Sequence, residues 1–393
     1  MMLTFKEDRS LFPETGKDGK PVIDWESGKF TKIWQGPVHP GMTGNMSLEL
    51  TIQGDEIMDC VTHVGYLHRG FEKLMERRRF IQCFPICVRV AVPEPDFNEY
   101  CLASTIEELG GIEVPEAADW MRTLLLEMSR LQSFLAQMGG QGSSFGLGLI
   151  GQWTVWARDL VLDRFEEITG GRVYHMHMPP GGVRSLLPAG FEARMTDTLD
   201  KISGVMEEVE RVMLNNSVFK TRAIGLGYID PKWVDEYGIT GPNARGAGVP
   251  KDVRKDYPYL MYDKLDFDVH VEYESDVFAR TKVRYNDILT TIDLIRQIVP
   301  RIPKSGEFMA DVPNVLHWKI PYGETYKRAE CTRGEYGYYT VTDGSGYPRR
   351  INVRGPSYTH AVTLMEKMAI NLNIADTAGV MSSLHTYPPE IER

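Results

Sequence analysis

Two short segments of the 393-residue chain combine backbone constraints with titratable side chains, which makes them the best candidates for chemistry. The first is residues 36–40, of sequence GPVHP, where two prolines fix the backbone on either side of His39. The second is residues 65–73, of sequence GYLHRGFEK, where two glycines allow sharp turns around His68 and its polar neighbours. A surface loop rarely needs such rigidity, so we predict that both segments line a buried site in a redox enzyme.

Each of these polar residues also has a purely structural interpretation. His39 could be a loop histidine bonded to a backbone carbonyl, and His68 with Arg69 could hold its loop to a carboxylate. Glu127 and Arg130 lie one helical turn apart and could pair at the helix surface or, among apolar neighbours, face a cavity. A further polar group favours a network between domains or subunits, and it comprises Arg245, Asp252 and Arg254.

The composition limits the classes of function. The formal net charge is −10 and the chain has no long basic run, so we expect no nucleic-acid partner, because phosphate binding needs clustered lysine and arginine. The first residues lack the apolar core of a signal peptide, and no window approaches the roughly 20 apolar residues of a membrane span. We expect a soluble protein, or a peripheral subunit held at a membrane by partners.

The cysteines do not indicate a disulfide framework. Five of them occur at irregular spacing. Cys83 and Cys87 would share one helix face, but no second pair completes a four-ligand metal site. Buried free thiols are the better interpretation.

Hydrophobic periodicity predicts helices joined to small sheets. An alternating pattern predicts a β-hairpin over 44–60, and a second pair of strands is expected at 335–342 and 350–354. Helices are predicted at 68–82, 97–110, 115–138, 153–169, 191–214, 275–298 and 361–374. The helix from Pro115 carries a long apolar stripe that we assign to the core, and the GGQG sequence after Met138 is expected to end it.

These elements predict an α+β fold, mainly α, with a long antiparallel helix bundle and small β-sheets at its ends. We divide the chain into an N-terminal arm over 1–35, a β-hairpin and short-helix domain carrying the site loops over 36–115, a helix bundle over 116–300 and a C-terminal α+β segment over 301–393. The phosphate-binding loop, the dinucleotide fingerprint and the H-E-x-x-H zinc helix are missing from the sequence. Any redox cofactors are therefore expected in partner chains.

Taken together with further motifs, the two loops resemble the quinone-site (large hydrophilic) subunit of respiratory complex I. The motifs follow the order of that family from about residue 36 to the C-terminus. They are residues 111–115, 127–131, 169–172, 180–183, 245–249, 252–255, 257–259, 333–337, 343–345, 354–358 and 390–393. The resemblance implies a hydrogenase large-subunit-like fold.

That subunit is similar to the large subunit of nickel–iron hydrogenases, which hold their metal with two C-x-x-C pairs. In this chain the first pair would align near Ala91 and Glu94, and the second between Tyr387 and Glu390, where no cysteine stands. Soft metals need thiolate ligands. The chain therefore resembles the metal-free branch, and we expect it to bind no metal itself.

Three positions that the family uses at the quinone headgroup differ here. The second histidine of the first loop is replaced by Thr43, and the tyrosine expected after Arg89 is replaced by Val92. The acidic partner of the histidine would fall at Ser144 or Phe145. A threonine can donate one hydrogen bond but cannot supply a proton near neutral pH. The implied catalytic residues are His39, Thr43, His68 and Arg89, and the implied substrate cavity is lined by His39, Thr43, Val92, Ser144, Phe145 and His385.

The resemblance also implies a role beside a partner's iron–sulfur cluster. Arg89 matches an arginine next to that cluster, where a cation favours the reduced form. The family histidine near the cluster would fall at Tyr174, with His175 one residue along and His177 as a further candidate. Either His175 takes over that role, or reduction is coupled more weakly to protonation. His385, in the tail, could reach the cavity or be structural.

The implied function is that of a peripheral-arm subunit in an NADH:quinone oxidoreductase-like translocase at the cytoplasmic face of the plasma membrane. Its partners would be a small iron–sulfur subunit, other peripheral-arm subunits and a membrane arm, and activity of the isolated chain is not expected. Electrons would pass from the partner's iron–sulfur cluster to a quinone-like acceptor, coupled to ion translocation. The alternatives are a hydrogenase-related complex that has lost its metal and uses another acceptor, and a scaffold. The electron donor, whether nicotinamide, deazaflavin or ferredoxin, stays open.

Overall fold

The structure is a computed structural model that describes residue 16, residues 22–39, residue 42, residues 45–314 and residues 316–393. Thr43, expected in the substrate cavity, lies outside the described residues. The described part is mainly helical with two small sheets, as predicted. In chain order its α-helices are α1 Phe71–Met75, α2 Phe80–Cys87, α3 Pro95–Gly110, α4 Glu116–Ser144, α5 Gly148–Thr169, α6 Phe191–Val209, α7 Ser217–Ala223, α8 Pro231–Tyr237, α9 Pro242–Arg245, α10 Val253–Asp256, α11 Val277–Ile298, α12 Met365–Met368, α13 Thr377–Leu384 and α14 Pro388–Glu392.

Both sheets are antiparallel and three-stranded. The first contains β1 Phe30–Gln35, β2 Ser47–Gln53 and β3 Glu56–His63, and the second contains β4 Gly323–Cys331, β5 Gly334–Thr342 and β6 Pro348–Arg354. The predicted hairpin over 44–60 is confirmed as β2 and β3. The structure adds β1, from the stretch assigned to the arm, and β4, which the sequence analysis missed.

The centre of the fold is α4, which packs on α5 and α11. Its apolar stripe from Trp120 to Met138 is buried, as predicted. The helix does not end at the glycines, however, but runs on to Ser144. A Cβ on Gly139 would lie 2.4 Å from the Thr154 hydroxyl, and one on Gly142 would lie 2.8 Å from Ile150. These glycines therefore let α5 approach α4 closely instead of ending the helix.

Two other predicted helices are interrupted. The prediction over 68–82 resolves into α1 and α2, separated by a turn after Met75. The prediction over 361–374 resolves into a π-helical turn, Thr359–Leu364, followed by the short α12. Among the described helices, none combines the length and the apolar character needed to cross a bilayer. All five cysteines are buried free thiols, as expected.

Candidate functional site

The loop that carries His68 is fixed to the C-terminal end of the chain. Gly65 and Gly70 have φ angles of 123° and 64°, and the His68 N–H donates to the Gly65 carbonyl at 3.2 Å. The His68 Nδ1 lies 2.5 Å from the backbone carbonyl of Glu392, and the Leu67 N–H donates to the Glu392 carboxylate. The His68 side chain thus holds the loop to the Glu392 backbone carbonyl, and the Glu392 carboxylate accepts a hydrogen bond from the neighbouring Leu67 amide.

This fixed loop positions a small cationic and aromatic surface, which we call the arginine patch and define as Arg69, Arg89, Tyr174 and Tyr387. The Arg69 Nη2 donates to the Arg89 carbonyl at 2.9 Å, and the Arg89 Nη1 donates to the Pro85 carbonyl at 2.6 Å. The Arg89 guanidinium lies 4.4 Å from the centre of the Tyr174 ring. Burial lowers the pKa of Arg69, whereas burial raises that of Tyr387, and the two side chains interact electrostatically.

His175 points away from the patch, into the protein. Its Nδ1 lies 2.9 Å from Asp96 Oδ1, and its ring stacks on Phe165 with the centroids 3.8 Å apart. Burial alone would lower the pKa of His175, but the Asp96 carboxylate raises it above the ordinary value. Tyr174 therefore shares a surface with Arg89, and His175 lies beneath that surface in a buried ion pair. His177 is also buried, with its Nε2 3.1 Å from the Ser185 carbonyl.

Helix α13 brings the first loop and the end of α4 together. The Gln35 amide, at the base of the loop, donates to the Thr377 hydroxyl at 3.3 Å in the first turn of α13. Phe145 packs on the same helix, where a Cβ on Gly379 would lie 2.6 Å from its ring. The Phe145 ring also meets Phe219 edge to face, with centroids 5.1 Å apart.

The other cavity candidates differ in exposure. His39 is exposed in a turn, where its N–H donates to the Gly36 carbonyl at 3.0 Å. Val92 and Ser144 are half-buried, and the Ser144 hydroxyl donates back to the Gly140 carbonyl at 2.9 Å. Phe145 is buried in a packed aromatic pair. Among the described residues, the base of the first loop and Phe145 therefore both contact α13. Phe145 itself is buried in the hydrophobic core.

An ion triad joins the two segments where the resemblance aligns the hydrogenase metal ligands. The Arg333 Nη2 lies 2.8 Å from Glu94 Oε2 and 2.9 Å from Glu390 Oε2, and all three side chains are buried. The Thr332 N–H donates to Glu94 at 3.0 Å, and the Ser357 N–H donates to Glu390 at 2.9 Å. Here a guanidinium ties together the segments around residues 94 and 390.

Sequence reasoning missed Arg333 as a member of the site, although it named the positions of both carboxylates. The signal available was the resemblance motif at 333–337, which begins with that arginine. Arg333 also lies 5.7 Å from the centre of the Tyr387 ring, so the triad adjoins the arginine patch. Within the described residues, no group of three or more histidine, cysteine, aspartate or glutamate side chains could hold a metal ion.

A second set of buried charges lies in the helix bundle, and we call it the bundle network. Its members are Glu127, Arg130, Arg245, Asp252, Arg254, Asp287 and Glu330. Arg245 makes a bidentate pair with Asp287 at 2.6 and 2.9 Å, and Arg254 pairs with Asp252 at 2.8 Å. The Arg130 Nε lies 3.2 Å from Glu127 Oε1. All are buried within this chain, so Glu127 and Arg130 do not form a surface pair.

Comparison with known proteins places the chain in a family. Residues 149–319 and 315–393 match the family described as "Respiratory-chain NADH dehydrogenase, 49 Kd subunit". The chain is 40% identical to an NADH-quinone oxidoreductase subunit, of type D, from Thermosipho melanesiensis, covering 92% of this chain and 99% of the relative. The chain belongs to the 49 kDa subunit family of the respiratory-chain NADH dehydrogenase.

Other members and a solved structure agree with this assignment. An F(420)H(2) dehydrogenase subunit, also of type D, from Methanosarcina mazei is 36% identical, covering 91% of this chain and 96% of the relative. A chain in the structure of the membrane-bound sulfane sulfur reductase, an archaeal respiratory membrane complex, superposes with a TM-score of 0.91. It is 36% identical and covers 95% of this chain and 100% of its own length. This 49 kDa-family chain is thus a subunit of the complex I type.

Proposed function

We propose that this 49 kDa-family subunit passes electrons from an iron–sulfur cluster in a small partner subunit to a quinone-like acceptor. The complex would include other peripheral-arm subunits and a membrane arm that translocates ions, with this chain at the cytoplasmic face of the membrane. NADH is one candidate donor, since the Thermosipho relative is named an NADH-quinone oxidoreductase subunit. The cofactors would lie outside this chain.

The observation that carries the proposal is the arginine patch. Arg89 is half-buried, and its guanidinium contacts a carbonyl and the Tyr174 ring, with no salt bridge to a carboxylate of the described residues. A cation held in this way keeps its charge available to a neighbour across the surface. Placed beside a cluster, it would stabilise the reduced form and raise the reduction potential.

The acceptor would lie on the side of α13 that carries the first loop. Gln35 fixes the base of that loop, and His39 is exposed at its turn. His39 is therefore our candidate donor to an acceptor carbonyl, with Thr43 as a second hydrogen-bond donor. His175, bonded to Asp96, would respond electrostatically to cluster reduction from beneath the patch.

The test is Arg89→Met in the purified complex, with the midpoint potential of the nearest cluster measured by redox titration and electron paramagnetic resonance. We expect a lower potential and an altered spectrum, because the methionine retains length but not charge. Arg89→Lys should restore most of the potential, and Arg211→Met, at an exposed pair with Glu208, is the control. An unchanged cluster signal in Arg89→Met would contradict the placement of the patch beside the cluster.

A second candidate function is reduction of sulfane sulfur instead of a quinone. It is favoured by Val92 and Phe145 in place of two expected headgroup residues, with Phe145 closed into the core, and by the similarity to a chain of the sulfane sulfur reductase. Assays of one purified complex with a soluble quinone and with polysulfide separate the candidates. Reduction of polysulfide alone would favour the second, and reduction of neither by an intact, reduced complex would favour a scaffold.

A further inference from the structure

A histidine that the function above does not use lies at the centre of the C-terminal region. His360 is fully buried, and neither ring nitrogen has a hydrogen-bond partner among the described residues. It stands in the π-helical turn Thr359–Leu364. Such turns are rare and are frequently found at functional sites.

A second histidine near it is held in an uncommon backbone conformation. His385 directly follows α13 with a φ of 52°, which few residues other than glycine adopt. Its Nδ1 is buried without a partner in the described chain. This left-handed conformation ends α13, and histidine is among the residues that adopt it more often than most.

The two imidazoles share the same cationic surroundings. Arg284 Nη2 donates to the Asn243 side-chain oxygen at 2.8 Å, and the Asn243 amide donates at 3.0 Å to the carbonyl of Leu384, the residue before His385. Burial lowers the pKa of both histidines and, in agreement with this proximity, so do Arg284 and Arg333. Within the part of the chain that the structure describes, Nε of Arg284 and Nη1 of Arg333 are also buried without a hydrogen-bond partner. We call this group the histidine chamber and define it as His360, His385, Arg284 and Arg333.

Buried polar atoms in proteins are nearly always hydrogen-bonded, to protein or to ordered water. Here five buried nitrogens have no hydrogen-bond partner among the described residues: both ring nitrogens of His360, Nδ1 of His385, Nε of Arg284 and Nη1 of Arg333. A water molecule needs two to four polar partners to be retained in the interior. The chamber supplies them, through imidazole nitrogens that can accept and guanidinium groups that donate.

We propose that the histidine chamber binds a small cluster of buried water molecules and relays protons through His360 and His385 toward the acceptor. This inference rests on the proposed function for the destination of the proton. The histidines gain no net proton, because one proton binds to one ring nitrogen as another leaves from the second. Solvent supplies the protons, and reduction of one quinone consumes two of them with the two electrons that arrive from the cluster.

The electrostatics suit a neutral relay. Burial and the nearby arginines lower the pKa of His360 to about 3, and they lower the pKa of His385 as well. Each ring therefore stays uncharged near neutral pH, with one nitrogen as donor and the other as acceptor. The charged groups that lower these pKa values include Arg284 on α11 and Arg333 at the β4–β5 turn for both rings, and Arg280 on α11 and Arg354 on β6 for His360.

The chamber adjoins both the arginine patch and the helix α13, which carries the first loop. Arg333 belongs to the chamber and also lies over the Tyr387 ring, at 5.7 Å. Tyr387 is a member of the patch and interacts with Arg69 and Tyr174. His385 caps the end of α13, and Gln35, at the base of the first loop, is bonded to Thr377 at the start of the same helix, so one helix connects the chamber to the side where the acceptor is placed.

The first test is a cryo-electron microscopy map of the intact complex at a resolution that shows ordered water. We expect water density within hydrogen-bond distance of at least one ring nitrogen of His360 and of His385. A chamber with no such density, or one closed by direct contacts between side chains, would overturn the proposal. This test requires no variant and no knowledge of the acceptor.

The second test compares variants in the purified complex. His360→Phe should lower acceptor turnover by about a hundredfold, on the scale of lost proton transfer, and enlarge the solvent deuterium isotope effect, with the cluster potential unchanged. His385→Asn, which tolerates the left-handed backbone, should act in the same direction. His270→Gln is the control, because His270 is bonded to Thr290 at 2.9 Å on another part of α11.

The outcomes separate the two proposals. Normal turnover and isotope effect in an assembled His360→Phe complex would reject the relay while leaving the proposed function intact. A wild-type complex that reduces no acceptor would reject the proposed function, and the water map would still decide whether the chamber is hydrated. If His360→Phe does not assemble, His385→Asn and the wild-type map decide the question.

Discussion

The arginine patch and the bundle network hold arginines in opposite ways. In the bundle network Arg245 and Arg254 are fully buried, and each is matched by an aspartate in direct contact. In the patch Arg89 is half-buried and is held by a carbonyl oxygen and an aromatic ring. The first arrangement cancels charge inside the fold, and the second presents it at the surface.

This contrast separates the structural arginines from those available to a partner. Burial alone would lower the pKa of Arg245, yet the carboxylates around it raise that pKa, so the pair stays ionised. Removing either member would leave a buried charge without compensation. Removing Arg89 leaves no buried charge without a partner. We therefore expect its loss to affect mainly the partner group that lies against this surface.

The largest effect that tests this contrast is on stability. Arg245→Met should lower the free energy of unfolding of the full-length chain by about 3–5 kcal/mol, because Asp287 would remain buried and unpaired. Chemical denaturation checks the value. Arg296→Met, which removes an exposed pair with Asp200, should cost less than about 1 kcal/mol. Similar losses in the two variants would mean that the bundle network is not an interdependent buried set.

A smaller effect concerns pH and Glu330. Burial, and then the nearby Asp252, raise the pKa of Glu330 from 4.5 to about 8. The folded state therefore binds a proton that the unfolded state releases between about pH 4.5 and 8, so stability falls as pH rises through that window. Glu330→Gln should remove roughly 2–4 kcal/mol of this pH dependence.

Denaturation of wild type and Glu330→Gln at several pH values checks this sign. Glu335→Gln, on the neighbouring strand β5, serves as the control for the loss of one carboxylate from the same sheet. Parallel curves for wild type and Glu330→Gln would contradict a buried proton on Glu330.

The smallest stability effect is expected in the patch itself. Arg89→Met should change the free energy of unfolding by less than about 1 kcal/mol, since it removes one partly exposed cation–π contact and one solvent-exposed hydrogen bond to the Pro85 carbonyl. Denaturation of the full-length variant beside Arg245→Met measures the contrast directly. A loss as large as that of Arg245→Met would place Arg89 among the structural arginines.

Much of the fold could be predicted from local patterns. The apolar stripe of α4, the extent of α3 and the end of α5 before Gly170 are all set by local patterns, and each is found within a few residues of its expected place. The errors occur where packing against a distant element determines the local structure. Gly139 and Gly142 look like a helix end, yet close packing with α5 makes them part of the helix.

The sequence provided candidate site residues, and only the structure showed how they are arranged. The sequence indicated His68, Arg89 and Tyr174, but neighbouring positions cannot show which side chain faces outward. In the structure Tyr174 lies on Arg89 and His175 turns inward to Asp96. His360 carried no motif, and its missing partners are visible only in three dimensions.

Residue types at fixed spacing were enough to establish the helical class, the burial of the α4 stripe and the family resemblance. Three-dimensional packing was needed to show that Glu94, Arg333 and Glu390, spread over nearly 300 residues of chain, form one buried triad. The reason is physical: a buried guanidinium must be matched by carboxylates, and the chain can supply them only by bringing distant segments together.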